Sequence, residues 1–199
     1  EPSSLHGRAY LESTRAVLAS HGGIVELPRW SWKDGRPPAA GDRRHPLLVV
    51  SHDAARAGGQ LTLLDTIRGI AGTGDFEVFF ALCEGGVLEE EFGLLGHVLN
   101  LGGVRYDDEL VTRMIDDLRS EGLDRDFLLA ICNTITTSHV ARSCQVAGVP
   151  VLALVWELPT SIRETFGADR VEQVVSCSRR IVVASEFARD QLAGAFGIP

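Results

Sequence analysis

Apolar residues fall into short continuous runs, separated by longer stretches of helical spacing. Leu47-Leu48-Val49-Val50 is wholly apolar, as a strand covered on both faces requires. A polar, glycine-bearing loop from Ser51 to Gly59 follows. From Gln60 to about Ile70, either Leu61, Leu64 and Ile67 or Leu63, Ile67 and Ile70 line one side of a helix, which Gly72-Thr73-Gly74 ends. The cycle repeats. It predicts strands at 76–83, 97–101, 127–132, 151–155 and 181–184. Between them it predicts helices from Gly85-Gly86 to Leu95, near 107–120, from a cap at Asn133-Thr134 to Ala147, and near 168–178, with a last helix from a Ser185 cap to about Ala195. Gly148 and Pro150 end the helix that runs to Ala147. Six buried strands alternating with helices predict an α/β fold, a doubly wound and mainly parallel six-stranded sheet with right-handed crossovers.

The first 45 residues do not follow this cycle. Residues 4–20 read as a helix with Ser3 and Ser4 available as caps and Gly22-Gly23 at its end. Residues 21–45 hold Pro28, Pro37, Pro38, Trp30 and Trp32, the pattern of a linker or of an arm packed through its aromatics. The expected organisation is therefore an N-terminal helix and arm, 1–45, and an α/β domain, 46–199.

Charge narrows the partners. The 199 residues carry 19 basic and 27 acidic side chains, a formal net charge of −8. A nucleic-acid binder carries a basic stripe, and this sequence has none, so nucleic acid is not an expected partner. With Lys33 as its only lysine, it lacks a polybasic membrane anchor. Its apolar runs fall far short of the roughly 20 residues of a transmembrane segment, and Glu1-Pro2-Ser3-Ser4 does not begin a signal peptide. The four cysteines show neither Cys-x-x-Cys nor zinc spacing. Buried free thiols and no metal site are the expectation. Glu89, Glu90 and Glu91 are read as a solvated first turn that complements the helix dipole. The sequence has no initiator methionine, which sets the expectation of a piece of a longer protein.

In an open parallel sheet, ligands bind beyond the carboxyl ends of the strands, near the point where strand order reverses. The loops there supply the candidates. Gly58-Gly59 precedes a helix, so backbone N–H groups could face a phosphate with no Cβ in the way. The spacing is not Gly-x-Gly-x-x-Gly, and a P-loop lysine is missing. Nicotinamide and ATPase sites are thus disfavoured, and a loop that merely turns on its glycines stands beside the phosphate reading. His52 and Asp53 end the first strand. Trp156-Glu157 ends the fifth, where a carboxylate could bind hydroxyls or act as a base, or could instead cap a helix or pair with Arg163. His139, inside the fourth helix, is read as a packing residue. Cys132 lacks the partner that a nucleophile needs.

Several of these segments together resemble one family. Val49-Val50-Ser51-His52-Asp53 with Gly58-Gly59, then Cys83-Glu84-Gly85-Gly86-Val87-Leu88-Glu89-Glu90-Glu91-Phe92, resembles the N-terminal half of GT-B glycosyltransferases similar to family 4. Cys132-Asn133-Thr134, Gly148-Val149-Pro150-Val151, Trp156-Glu157-Leu158, Val183-Ala184-Ser185 and Phe196-Gly197-Ile198-Pro199 follow in the family's order. The resemblance spans roughly residues 46–199. It implies a Rossmann-like acceptor-side half, with a second half that holds most of a nucleotide-sugar donor lying outside this sequence. No tightly bound cofactor is implied, the donor being a co-substrate, and the fragment alone would be inactive. The acceptor would be a glycan or lipid-linked sugar. The enzyme would be a retaining hexosyltransferase in the cytoplasm, or peripheral at the inner face of the membrane.

Residue by residue, Gly58 and Gly59 match the loop that approaches the donor diphosphate, and Glu157 matches the acidic member of a strand-end His-Glu pair. Trp156 stands where that pair has its His, so His52 and Glu157 are the candidate catalytic groups. Asp53, Asn133, Thr134 and Trp156 are the candidates to hold substrate, Trp156 as a stacking platform. The alternatives are a non-catalytic module that binds a glycan or partner, and a GT-B-like sugar-nucleotide epimerase.

Overall fold

The computed structural model describes residues 29–39, 41–102, 114, 116, 118 and 126–198. Six strands, β1 (His45–Ser51), β2 (Phe76–Leu82), β3 (His97–Asn100), β4 (Leu129–Asn133), β5 (Val151–Val155) and β6 (Arg180–Val183), form one sheet in the order β3-β2-β1-β4-β5-β6. Every pairing is parallel. The helices are α1 (Gly58–Ala71), α2 (Glu89–Leu95), α3 (Ser138–Val146), α4 (Ala168–Cys177) and α5 (Glu186–Phe196). The α/β doubly wound fold read from the apolar runs is the fold observed.

The wholly apolar strands follow from coverage on both faces. Leu48, Val50, Phe79, Ala81, Ala130 and Cys132 face one way, against Val140 and Cys144 of α3. Leu47, Val49, Val78, Phe80 and Ile131 face the other, against Leu63, Leu64 and Ile67 of α1 and Phe92 of α2. A third cluster around Ala153, Val155, Ile162, Val171, Val174 and Leu192 joins β5 to the last helices.

The chain winds outward through β1, β2 and β3, then returns to begin β4 on the other side of β1. The loops after β1 and β4 thus diverge from neighbouring strand ends, which opens the crevice where such sheets bind ligands. Ser51 pairs in register with Asn133, and Asn133 with Leu154, so the ends of β1, β4 and β5 lie side by side.

The structure corrects the expected caps. Asn133 is the last residue of β4 rather than a helix cap, because its pairing with β5 holds it extended. A single 3₁₀ turn, Ile135–Thr137, precedes α3, and neither Thr134 nor Thr137 caps with its side chain. Ser185 does cap α5, its Oγ accepting from Ala188 N at 3.1 Å. The loop expected after β5 contains a helical turn, Pro159–Ser161, which widens over Ile162–Phe166. There Gly167 N donates to Ile162 O, five residues back, at 2.9 Å. Residues 114, 116 and 118 are helical, inside the helix expected near 107–120, whose other residues lie outside the described set. The helix expected at 4–20 also lies outside it.

Ahead of β1, Ser31 pairs antiparallel with Val98 on the edge of β3. Trp30 meets Phe79 edge-on at 5.7 Å and stacks on Trp32 at 5.9 Å. Lys33 N donates to His97 Nδ1 at 3.0 Å, so the ring proton sits on Nε2 and is donated to Glu77 Oε1 at 2.6 Å. Arg44 bridges Glu77 and Asp42, and its guanidinium pKa is raised, first by the hydrogen bond to Asp42. These contacts close the end of the sheet opposite the crevice.

Candidate functional site

Strand ends, one helix start and one turn build the site. The neighbour at Ala57 leaves α1 without a side-chain cap, so the N–H groups of its first turn, including Gly58 and Gly59, lack the partner that a cap would give. Gly58 is exposed, and a Cβ there would meet nothing within 4 Å. Gly59 differs. A Cβ on it would stand 3.1 Å from Trp156 Cδ1, 3.7 Å from Trp156 Nε1 and 3.5 Å from Thr134 Cγ2. A side chain here would press on an indole that lies against the backbone.

That indole is fixed from beneath. Trp156 Nε1 donates to Asn133 Oδ1 at 2.8 Å. Asn133 is fully buried, and its Nδ2 has no protein partner. Such a donor costs about 1–3 kcal/mol where it stays unpaired. Beside it, Glu157 turns inward. Its two oxygens each lie 3.2 Å from Ile135 N, and Oε2 also accepts from Trp156 N at 3.1 Å. The carboxylate thus ties the end of β5 to the turn after β4. The alternative pairing with Arg163 does not occur; Arg163 donates to Ala195 O at 2.7 Å and lies over the Phe196 ring.

The third part is a chain of polar side chains running from Thr134 to α1. Thr134 Oγ1 lies 3.2 Å from His52 Nδ1, and His52 Nε2 lies 3.1 Å from Asp53 Oδ2. Gln60 Nε2, which can only donate, lies 3.3 Å from His52 Nε2, so His52 Nε2 accepts and the ring proton sits on Nδ1, facing the Thr134 hydroxyl. Asp53 Oδ1 accepts from Ala55 N at 3.1 Å and, in a very short hydrogen bond, from Gln60 Nε2. Ser51 Oγ donates to Asp53 O at 2.8 Å. Thr134 holds φ 72°, ψ 158°, a region that is nearly exclusive to glycine and costs about 1–3 kcal/mol. Backbone bonds from Thr134 N to Leu154 O and from Ile135 N to Glu157 impose it.

His52, Asp53, Gly58, Gly59, Asn133, Thr134, Trp156 and Glu157 are therefore brought together at one edge of the sheet. Gln60 is the addition that sequence reading missed. It is 2% exposed, but its place at a helix start reads from sequence as an ordinary solvent-facing polar residue. His139 lies apart, beside Arg170 at 3.2 Å. Cys132 is buried on the opposite face of β4, and its thiol is pushed well up by the Cys144 thiol and by burial. None of the four cysteines forms a disulfide; Cys132 and Cys144 are buried as expected, whereas Cys83 and Cys177 are only half-buried.

Thr134, His52 and Asp53 stand in the order of a nucleophile, base and orienting acid, but the hydrogen bonds to the ring come from Thr134 and Gln60. Yet the donor that would stabilise an acyl oxyanion, the N–H after Thr134, is committed to Glu157. A carboxylate there repels a second anion, so the chain orients His52 rather than activating Thr134. Among the described residues, no group of three or more His, Cys, Asp or Glu is placed to hold a metal ion. No described helix is long and apolar enough to cross a membrane.

The sequence matches no family model and no curated protein. Among solved structures, it is similar to the glycotransferase of kitacinnamycin, at 14% identity and a TM-score of 0.38. The match covers 79% of this chain and 42% of that one, so the chain spans less than half the length of this structural neighbour.

Proposed function

We propose that this chain is the acceptor-side wall of a glycosyl-transfer cleft. The observation that carries the reading is the convergence at the β1/β4 switch point: an uncapped helix start at Gly58, a half-exposed His52–Asp53 pair and a pinned, half-buried Trp156. A helix N-terminus suits a diphosphate. Imidazole, carboxylate and indole together suit a sugar ring, whose hydroxyls take polar partners and whose C–H face stacks on an aromatic. The ordered family motifs support the same assignment.

In this reading the donor diphosphate approaches Gly58, and the acceptor ring lies between Trp156 and His52–Asp53. Gln60 and Thr134 hold the imidazole in one orientation, so that it can position the attacking hydroxyl. Glu157, whose oxygens are taken by backbone donors, is a positioning residue. Holding two reactants in line supplies much of the rate in a transfer that lacks a protein nucleophile. A second half, carried by sequence beyond this one, supplies the rest of the donor site.

The commitment of Glu157 to Ile135 N and Trp156 N favours one second reading, a binding module without chemistry. The test is a transfer assay on the full-length natural protein with labelled nucleotide sugars, with product analysis for a free epimerised nucleotide sugar. The enzyme reading expects transfer, and a loss of about 10²-fold in kcat for His52→Ala with acceptor binding retained. Binding without turnover in the wild-type protein supports the module. Neither binding nor turnover ends both readings.

A further inference from the structure

Gly58 and Gly59 lie one residue apart on α1 but have opposite surroundings. The space beside Gly58 is open, whereas Gly59 lies under the Trp156 indole with closest approach at Cδ1. The indole is retained by one side-chain hydrogen bond, Nε1 to Asn133 Oδ1 at 2.8 Å. Asn133 spends only its oxygen on this bond. Its Nδ2 is fully buried and has no protein partner. A buried amide satisfied on one side is an unfavourable arrangement to maintain. It becomes favourable once an acceptor reaches the nitrogen.

We propose that Trp156 is a latched gate over the α1 N-terminus, opened by the diphosphate of the donor. This deepens the glycosyl-transfer reading and rests on it. In the closed state the indole covers Gly59 and Asn133 holds it there. When a diphosphate takes the Gly58 end, the indole leaves Gly59 and the Asn133 carboxamide is released. The Nδ2–H groups then join the first-turn N–H groups as donors to phosphate oxygens. No bond is made or broken; the step exchanges one hydrogen bond for several charge-assisted ones. The rim aromatic thereby reaches its acceptor-facing position only when donor is present, which orders the two substrates.

The experiment follows the indole N–H of Trp156 in ¹⁵N-resolved spectra of the protein, assigned with Trp156→Phe. Inorganic pyrophosphate and uridine diphosphate are the probes. The gate predicts that either probe shifts the Trp156 indole resonance and speeds its exchange with solvent. Trp156→Phe, which keeps an aromatic ring but lacks the latch donor, should bind pyrophosphate about 3- to 10-fold more tightly, the worth of one net hydrogen bond. Asn133→Asp keeps an acceptor for the indole, removes the Nδ2 donors and adds a negative charge, so it should abolish binding while the indole stays in place. Thermal melts confirm that each variant folds. Pyrophosphate binding with the Trp156 resonance unmoved, or weaker binding by a folded Trp156→Phe, overturns the gate and leaves the cleft reading standing. No binding by the wild-type chain or by Trp156→Phe overturns the cleft reading beneath it.

Discussion

Replacing each of the adjacent glycines with alanine isolates the contact on which the site is built. Both Gly58 and Gly59 lie in the first turn of α1 at backbone angles that alanine accepts. Each substitution should therefore gain about 0.4–1 kcal/mol by restricting the unfolded chain. At Gly58 that gain is unopposed, since the added methyl meets nothing within 4 Å. At Gly59 the methyl arrives 3.1 Å from Trp156 Cδ1, and the indole must move. Movement strains the 2.8 Å bond to Asn133, worth about 0.5–1.5 kcal/mol net, and uncovers a second buried atom on a residue already half-satisfied. Gly59→Ala should therefore lie about 1 kcal/mol or more below Gly58→Ala. In a chain of this size that is a Tm difference of roughly 2–4 °C. Thermal and urea melts of both variants, in the wild-type and Trp156→Ala backgrounds, form a double-mutant cycle. The gap should close when Trp156 is absent. Equal stabilisation by the two alanines in the wild-type background would refute the contact, and with it the arrangement of Trp156 on α1.

Other outcomes follow from the same structure. Gln60→Leu removes the buried amide from Asp53 and His52, and should cost about 1–3 kcal/mol in urea unfolding. Gln60→Asn, too short to span the gap, should recover little of it. His97→Leu strips the Lys33 N–H and Glu77 of their shared partner, and should cost about 1–3 kcal/mol, the range for buried groups left without a hydrogen-bond partner. Loss of the arm contact would also change the emission of Trp30 and Trp32. The Cys132 thiol is raised well above its ordinary range by Cys144 and burial. Its folded pKa therefore exceeds the unfolded value of about 8.5, and its contribution to stability is complete below that value and falls as pH rises above it. Cys132→Ala should flatten that alkaline slope, and iodoacetamide mapped by mass spectrometry should leave Cys132 unlabelled in the folded protein.

The fold was legible because both faces of every central strand are covered, which forces unbroken apolar runs such as Leu47 to Val50. The places where sequence reading slipped are those where two physical demands use the same residue type. Asn133 before a helix reads as a cap, but strand pairing to Leu154 claims its backbone and Trp156 claims its side chain. Gln60 reads as a surface residue until Asp53 is placed over it. Glycine pairs mark both turns and close approaches, and only the position of Trp156 tells Gly58 from Gly59. The positive φ of Thr134 leaves no trace in the sequence, because bonds from Leu154 and Glu157 impose it from outside the segment.

Backbone-amide shift mapping with a panel of nucleoside diphosphate sugars tests the cleft directly. The account predicts saturable shifts confined to the edge formed by Gly58, Gly59, Thr134, Ile135 and Trp156. Shifts centred instead on the opposite edge of the sheet, in the cavity between Gly148 and Arg179, would contradict it.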